Sequence, residues 1–230
     1  MKRSKTKTGE AAGDSLVYSR IRRVIVRLVI WLFRLRVHHA QREPDDGNYL
    51  LCCNHISAMD PVVLGVALGK HQTHFMAKKE LFRVPLVAAF LRSINAYPVD
   101  RTGDVSAIRT TVALIEHGDC VGVFPQGTRC PGRPPRASAD RVKGGVGLLC
   151  EKTRVRVLPV CLRARKDRLR LFGGCEVIVG QPLSYEQLID GDAERWQSMS
   201  HHQKYEHISR RIFDEICKLY EEKLPYDEKG

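Results

Sequence analysis

The stretch YSRIRRVIVRLVIWLFRLRV, residues 18–37, has no uncharged run longer than Leu28 to Phe33. That falls far short of the roughly 20 apolar residues that a membrane-spanning helix needs. A signal peptide would need a longer apolar core and a small-residue cleavage site, so none is expected. Eight cysteines occur without a CxxC pair or a Cys/His finger spacing. Most sit in strand-like runs (Cys52, Cys53, Cys161) or helix-like ones (Cys150, Cys217). Reduced, buried thiols in a cytosolic compartment are the expectation. His38-His39, His201-His202, and His71 with His74 lack Cys or carboxylate neighbours at ligand spacing, so no metal is expected.

With 43% hydrophobic and 28% charged residues, the 230-residue chain reads as globular, with room for one sizeable core. The net charge of +12 is uneven. Residues 1–43 hold eleven Lys and Arg against Glu10, Asp14 and Glu43, a net +8 of that total. Such a segment suits an anionic surface, either lipid headgroups or nucleic acid. No recognition module or interleaved basic–aromatic surface supports nucleic acid. Residues 1–14, polar and basic, are expected to be disordered.

On a helical wheel Ile21, Val24, Ile25, Leu28, Leu32 and Leu35 share one face. Arg20, Arg23, Arg27 and Arg34 fall in a narrow arc away from it, and Arg22 and Arg36 lie at the other margin. This is either a helix packed on the protein's own core or an interfacial helix on an anionic membrane, the latter favoured by Trp31 and Phe33. The chain then divides into a basic tail with an amphipathic membrane-associating helix (1–43) and a catalytic domain (44–230), at the cytoplasmic face of a membrane.

From residue 48 onward, short apolar runs alternate with helical stretches. The expected strands are 48–53, 73–77, 94–99, 120–124, 156–162 and 175–179. The expected helices are 61–69, 80–92, 104–117, 144–153 and 201–222. The alternation predicts an α/β fold with a mostly parallel central sheet flanked by helices. NHISAMD, residues 54–60, falls between the first of these strands and the first helix. His55 and Asp60 are five apart, so one helix face cannot bring them together, but a turn can. Asp60-Pro61 reads as a helix start with Asp60 as N-cap. Either Asp60 is only a cap, or the loop folds it back onto His55 at the strand ends where such sheets carry their sites.

Further blocks bear on that choice. AKKELFRVPLVAAFLRSINAYPVDR (77–101), VFPQGTR (123–129), VKGG (142–145) and VLPVCL (157–162) follow NHISAMD in order. Together they resemble the glycerolipid acyltransferases, the PlsC-like 1-acylglycerol-3-phosphate acyltransferase family. The resemblance implies His55 as general base oriented by Asp60, and a substrate site made from Asn54, Arg101, Gln126, Gly127, Thr128, Arg129 and Lys143. It implies acyl transfer from acyl-CoA or acyl carrier protein to a lysophospholipid acceptor, without a cofactor. Two residues depart from the family pattern: Gln126 replaces a usual glutamate, and Asn95 replaces a frequent glycine.

The chemistry suits these residues. A neutral imidazole can take a proton from an alcohol near pH 7, and a carboxylate fixes its tautomer and stabilises the imidazolium. The substrate hydroxyl replaces the serine of a triad, so no covalent acyl-enzyme is required. Arg101 and Arg129 supply permanent charge for a phosphate. Gly127 lets the backbone approach the ligand, and Val84, Leu86 and Phe90 belong to the core or to an acyl tunnel.

Overall fold

The structure, a computed structural model, describes residues 24–99, 105–189, 191 and 193–224. Its strands are β1 (Leu35–His38), β2 (Tyr49–Cys53), β3 (Thr73–Lys78), β4 (Ala96–Val99), β5 (Cys120–Val123), β6 (Arg156–Ala164) and β7 (Cys175–Val179). They form one sheet in the order β1-β7-β6-β2-β5-β3-β4. All pairings are parallel except β6 with β7, so β7 and β1 run against the other five. Every residue of β2, YLLCC, is buried, as a central strand covered on both faces requires.

The helices are α1 (24–33), α2 (Asp60–Ala67), α3 (Pro85–Ser93), α4 (Val105–His117), α5 (Gly145–Thr153), α6 (Tyr185–Leu188), α7 (Ala193–Ser198) and α8 (His201–Glu221). One side of the sheet packs Leu50, Cys52, Val121 and Val157 against Leu149 of α5 and Ile208, Ile212, Phe213 and Ile216 of α8. The other packs Tyr49, Leu51, Cys53 and Leu158 against Val62, Val63 and Leu64 of α2 and Val29 and Phe33 of α1. α8 begins with a capping box, in which Ser200 and Gln203 bond each other's backbone N–H. α5 and α8 cross closely because residue 147 is glycine: a Cβ there would lie 2.0 Å from the Tyr205 carbonyl oxygen.

All six expected strands and four of the five expected helices are present, with ends within a few residues. The expected helix 80–92 is instead split into a 3-10 helix at Lys79–Arg83 and α3 from Pro85, with Val84 extended between them. The N-terminal segment differs from its expectation. The helix stops at Phe33, Arg34 turns the chain with a φ of 45°, and Leu35–His38 becomes an edge strand paired with β7. Leu35 is therefore a strand residue. The buried stripe of α1 is Val29 and Phe33 with half-buried Leu32, whereas Val24, Ile25, Leu28 and Trp31 face outward. Residues 24–42 are thus built into the body, and the expected boundary at 43/44 falls inside the folded unit. Among the described residues no helix is long and apolar enough to cross a membrane. The disorder expected at 1–14, the helical start at 18–23 and Arg101 lie outside the described residues. Val84, Leu86 and Phe90 are exposed, contrary to an enclosed role. Asn95 has a φ of 54°, the left-handed region that glycine enters freely and asparagine tolerates better than most, which accounts for its standing where a glycine is frequent.

Candidate active site

Three neighbouring parallel strands, β6, β2 and β5, end at one edge of the sheet, and the loops that leave them build the site. The loop after β2 starts with Asn54, whose amide is doubly bonded to the next strand. Its Nδ2 donates to the Leu162 carbonyl at 2.9 Å, and its Oδ1 accepts the Leu162 N–H at 2.8 Å. The chain then turns through Ile56 and Ser57 into α2, bringing Asp60 back under His55. Asp60 Oδ2 accepts three hydrogen bonds: from His55 Nδ1 at 2.7 Å, Ile56 N–H at 2.7 Å and Ser57 N–H at 2.8 Å.

Asp60 is fully buried and is the first residue of α2, not its N-cap; its carboxylate points back into the loop. With a carboxylate accepting at Nδ1, the proton of the neutral ring sits on Nδ1 and the lone pair on Nε2. Among the described residues nothing hydrogen-bonds Nε2, and the His55 side chain is 11% accessible. The ring stacks on Phe124 at a centroid distance of 3.9 Å and an angle of 14°. Phe124 is backed by Phe75 of β3, which lies across Gly122 of β5. The stack therefore fixes the plane of the imidazole while Asp60 fixes its rotation.

VFPQGTR supplies the second loop. Gln126 is 1% exposed, and both ends of its amide are bonded to protein. Its Oε1 accepts the His55 backbone N–H at 2.7 Å, and its Nε2 donates to Ser138 Oγ at 2.8 Å. Cys130 N–H in turn donates to the His55 carbonyl at 2.7 Å, so the two loops are stitched on both sides of the histidine. Asn54 and Gln126, expected to touch substrate, both use their amides to hold these loops. Gly127 takes a φ of 62°, turning the chain so that Gly127, Thr128, Asp140, Arg141 and Lys143 rim a cavity of about 470 Å³ beside Gln126. Arg129 is exposed next to that rim. β4 ends at Val99 on the same edge of the sheet, two residues before Arg101.

Arg136 pairs with Glu221 of α8 through Nε at 2.7 Å and Nη2 at 3.1 Å, a surface clamp away from the rim. Sequence reasoning missed Phe124, Ser138 and the Cys130 N–H. All three act through pairings that spacing along the chain does not display. Among the described residues no group of three or more His, Cys, Asp or Glu side chains is arranged to hold a metal ion.

Residues 34–163, which carry every part of this arrangement, match the family model described as Acyltransferase. The chain belongs to this acyltransferase family. A Bacillus subtilis (strain 168) relative named 1-acyl-sn-glycerol-3-phosphate acyltransferase is 32% identical over 152 residues, 65% of this chain and 73% of that protein. A Streptococcus pneumoniae relative of the same name is 31% identical over 153 residues, 64% of this chain and 54% of its own length. The chain thus spans about half of the Streptococcus protein. The crystal structure of the 1-acyl-sn-glycerophosphate (LPA) acyltransferase PlsC from Thermotoga maritima superposes with a TM-score of 0.64 at 23% identity, covering 94% of this chain and 85% of that one. That likeness establishes the shared α/β fold. For an acyltransferase, a histidine with one nitrogen held by a buried carboxylate and the other open is a suitable proton acceptor.

Proposed function

We propose that this acyltransferase moves a fatty acyl group from a thioester, acyl-CoA or acyl carrier protein, to the sn-2 hydroxyl of 1-acylglycerol 3-phosphate, giving phosphatidic acid. The observation that carries the reading is the 2.7 Å contact between His55 Nδ1 and Asp60 Oδ2, with Nε2 left unbonded among the described residues. The names of the relatives supply the acceptor.

His55 Nε2 takes the proton of the substrate hydroxyl as its oxygen attacks the thioester carbonyl carbon. Asp60 stabilises the imidazolium that forms. The tetrahedral intermediate collapses, the C–S bond breaks, and the thiolate leaves with the proton returned from Nε2. No acyl-enzyme and no cofactor enter this sequence. Asn54 and Gln126 position the loops that carry the base.

The acceptor phosphate sits at the rim formed by Gly127, Thr128 and Lys143, with Arg129 and Arg101 completing the charge. Arg141 joins that rim. Guanidinium groups match phosphate oxygens two at a time, which favours this end of the cavity for the headgroup. The enzyme works at the cytoplasmic face of an anionic membrane, which it meets through the exposed stripe of α1.

Acyl transfer by the purified chain to a panel of acceptors tests this: 1-acylglycerol 3-phosphate, glycerol 3-phosphate and lysophospholipids with larger headgroups. Preference for the first supports the reading. Preference for another acceptor moves the assignment within the family, and no transfer to any acceptor would leave a lipid-binding protein on the same fold.

A further inference from the structure

The apolar surface of α1 does not end with α1. Val24, Leu28 and Trp31 form one stripe of that helix, with Val24 64% and Trp31 63% exposed. Beside it lies the loop between β6 and β7, residues 165–174, whose Leu171 and Phe172 are 59% and 45% exposed. The two segments are joined. The Trp31 and Phe172 rings meet edge to face at 4.9 Å, and the Phe172 N–H donates to the Leu32 carbonyl. Phe172 adopts a φ of 60° although two glycines follow it immediately. An aromatic side chain thus stands, outward, at a backbone position glycine would fill with less strain.

The rim of this apolar patch is basic. The loop carries Arg165, Lys166, Arg168 and Arg170 against a single acid, Asp167, a net +3. All four cations are exposed, while Asp167 accepts from the Tyr220 hydroxyl at 2.7 Å. Between α1, β1 and this loop lies a cleft of about 410 Å³ whose lining includes Arg34, Arg36, Arg163, Arg165 and Glu176. Glu176 pairs with Arg163 at 2.7 Å and lies 3.5 Å from His38, and the lining as a whole holds four arginines against this one carboxylate, a net +3. The loop also reaches the active site: the Gly132 N–H donates to the Asp167 carbonyl at 2.7 Å, two residues from the Cys130 N–H that bonds His55.

We propose that the β6–β7 loop is a second bilayer contact, in which Leu171 and Phe172 enter an anionic phospholipid surface beside α1 while Arg34 and Arg165 take lipid phosphates in the cleft behind them. This rests on the membrane reading above and extends it to a surface outside the N-terminal helix. Apolar tips surrounded by long cationic side chains suit the headgroup boundary, where stems lie along the apolar layer and charges reach phosphates. A second copy of the chain is a poor occupant, because the same cations would face each other. Docking here ties the loop stitched to His55 directly to the bilayer that holds the acceptor.

The test uses the full-length chain and vesicles of phosphatidylcholine with or without phosphatidylglycerol, read by flotation. Leu171→Ser with Phe172→Ser should weaken binding by about ten-fold or more, since two apolar side chains lose their burial. Arg34→Gln with Arg165→Gln should remove roughly five-fold or more per charge on anionic vesicles only. Both variants should melt like wild type and acylate a short-chain, monomeric acceptor at the wild-type rate. Wild-type vesicle binding by the serine variant overturns the proposal, as does a change in its oligomeric state with vesicle binding unaltered. Those results would leave the acyl-transfer reading intact, whereas that reading fails if the wild-type chain transfers no acyl group in the same assay.

Discussion

Gln126 and Ser138 are joined by a hydrogen bond of 2.8 Å that closes the wall behind His55. Ser138 is fully buried and donates its own hydroxyl to the Pro135 carbonyl at 2.9 Å, so it accepts from the Gln126 Nε2 donor. The neutral amide fits this position because it needs an acceptor toward the His55 N–H and a donor toward Ser138. A glutamate would supply only acceptors when ionised.

Ser138→Ala should therefore strand a buried donor and lower stability by about 1–3 kcal/mol. Urea unfolding of the variant checks this. Gln126→Glu should also destabilise, because the Ser138 hydroxyl must turn from Pro135 to the carboxylate. Its acceptor preference should match wild type, since both ends of the Gln126 amide face protein. A shifted ranking across lysophospholipids would show instead that residue 126 meets the headgroup.

Gly122→Ala probes the support of the base from the opposite side. A Cβ at residue 122 would lie 2.1 Å from the Phe75 ring, which must move, and Phe75 backs Phe124 under His55. Overpacking of this kind costs about 1–3 kcal/mol. Turnover should fall with stability, and adding Phe75→Leu should recover part of both. An alanine variant with wild-type melting and turnover would mean that the stack does not transmit to His55.

Much of this architecture was legible because β2 through β6 are short apolar runs separated by helical stretches, and β7 is a further apolar run that follows β6 after a loop. β1 was not: FRLRV (33–37) continues the apolar–arginine rhythm of α1, and only the left-handed turn at Arg34 ends the helix. A truncation at residue 37 would accordingly remove Val29, Phe33 and Leu35 from the core, making point substitutions the cleaner probe of α1. At the site, His55 and Asp60 were readable from NHISAMD. The tasks of Asn54 and Gln126 were not, because a polar side chain in a matched block looks the same whether it faces a ligand or a neighbouring strand. Their partners, Leu162 and Ser138, are 108 and 12 residues away.

The cysteines offer a pH test. Burial raises the thiol pKa of Cys120 from 9.0 to about 11, and those of Cys150 and Cys175 to about 12. Above roughly pH 9 the unfolded chain gives up thiol protons that the folded chain keeps, so these groups stabilise the fold below that pH and the contribution fades as pH rises toward 11–12. Under reducing conditions, unfolding free energy should fall between those limits. All eight thiols are free and buried, so native protein should react slowly with a thiol reagent and denatured protein at once.

Charge at the cavity rim should act on the acceptor. Arg129→Ala, Lys143→Ala and Arg101→Ala should each lower kcat/KM for 1-acylglycerol 3-phosphate by roughly ten- to a hundred-fold, as the loss of one charge-assisted contact implies, with the donor KM little changed. Equal efficiency on every acceptor would remove the phosphate from this end of the cavity.

The central claim is that His55 is the base and Asp60 its orienting partner, and the most direct measurement is kcat for acyl transfer by His55→Ala. A fall of about 10²–10⁴ in protein that melts like wild type is expected, with Asp60→Asn losing much of the same through the wrong tautomer. Near wild-type turnover by folded His55→Ala would contradict the account.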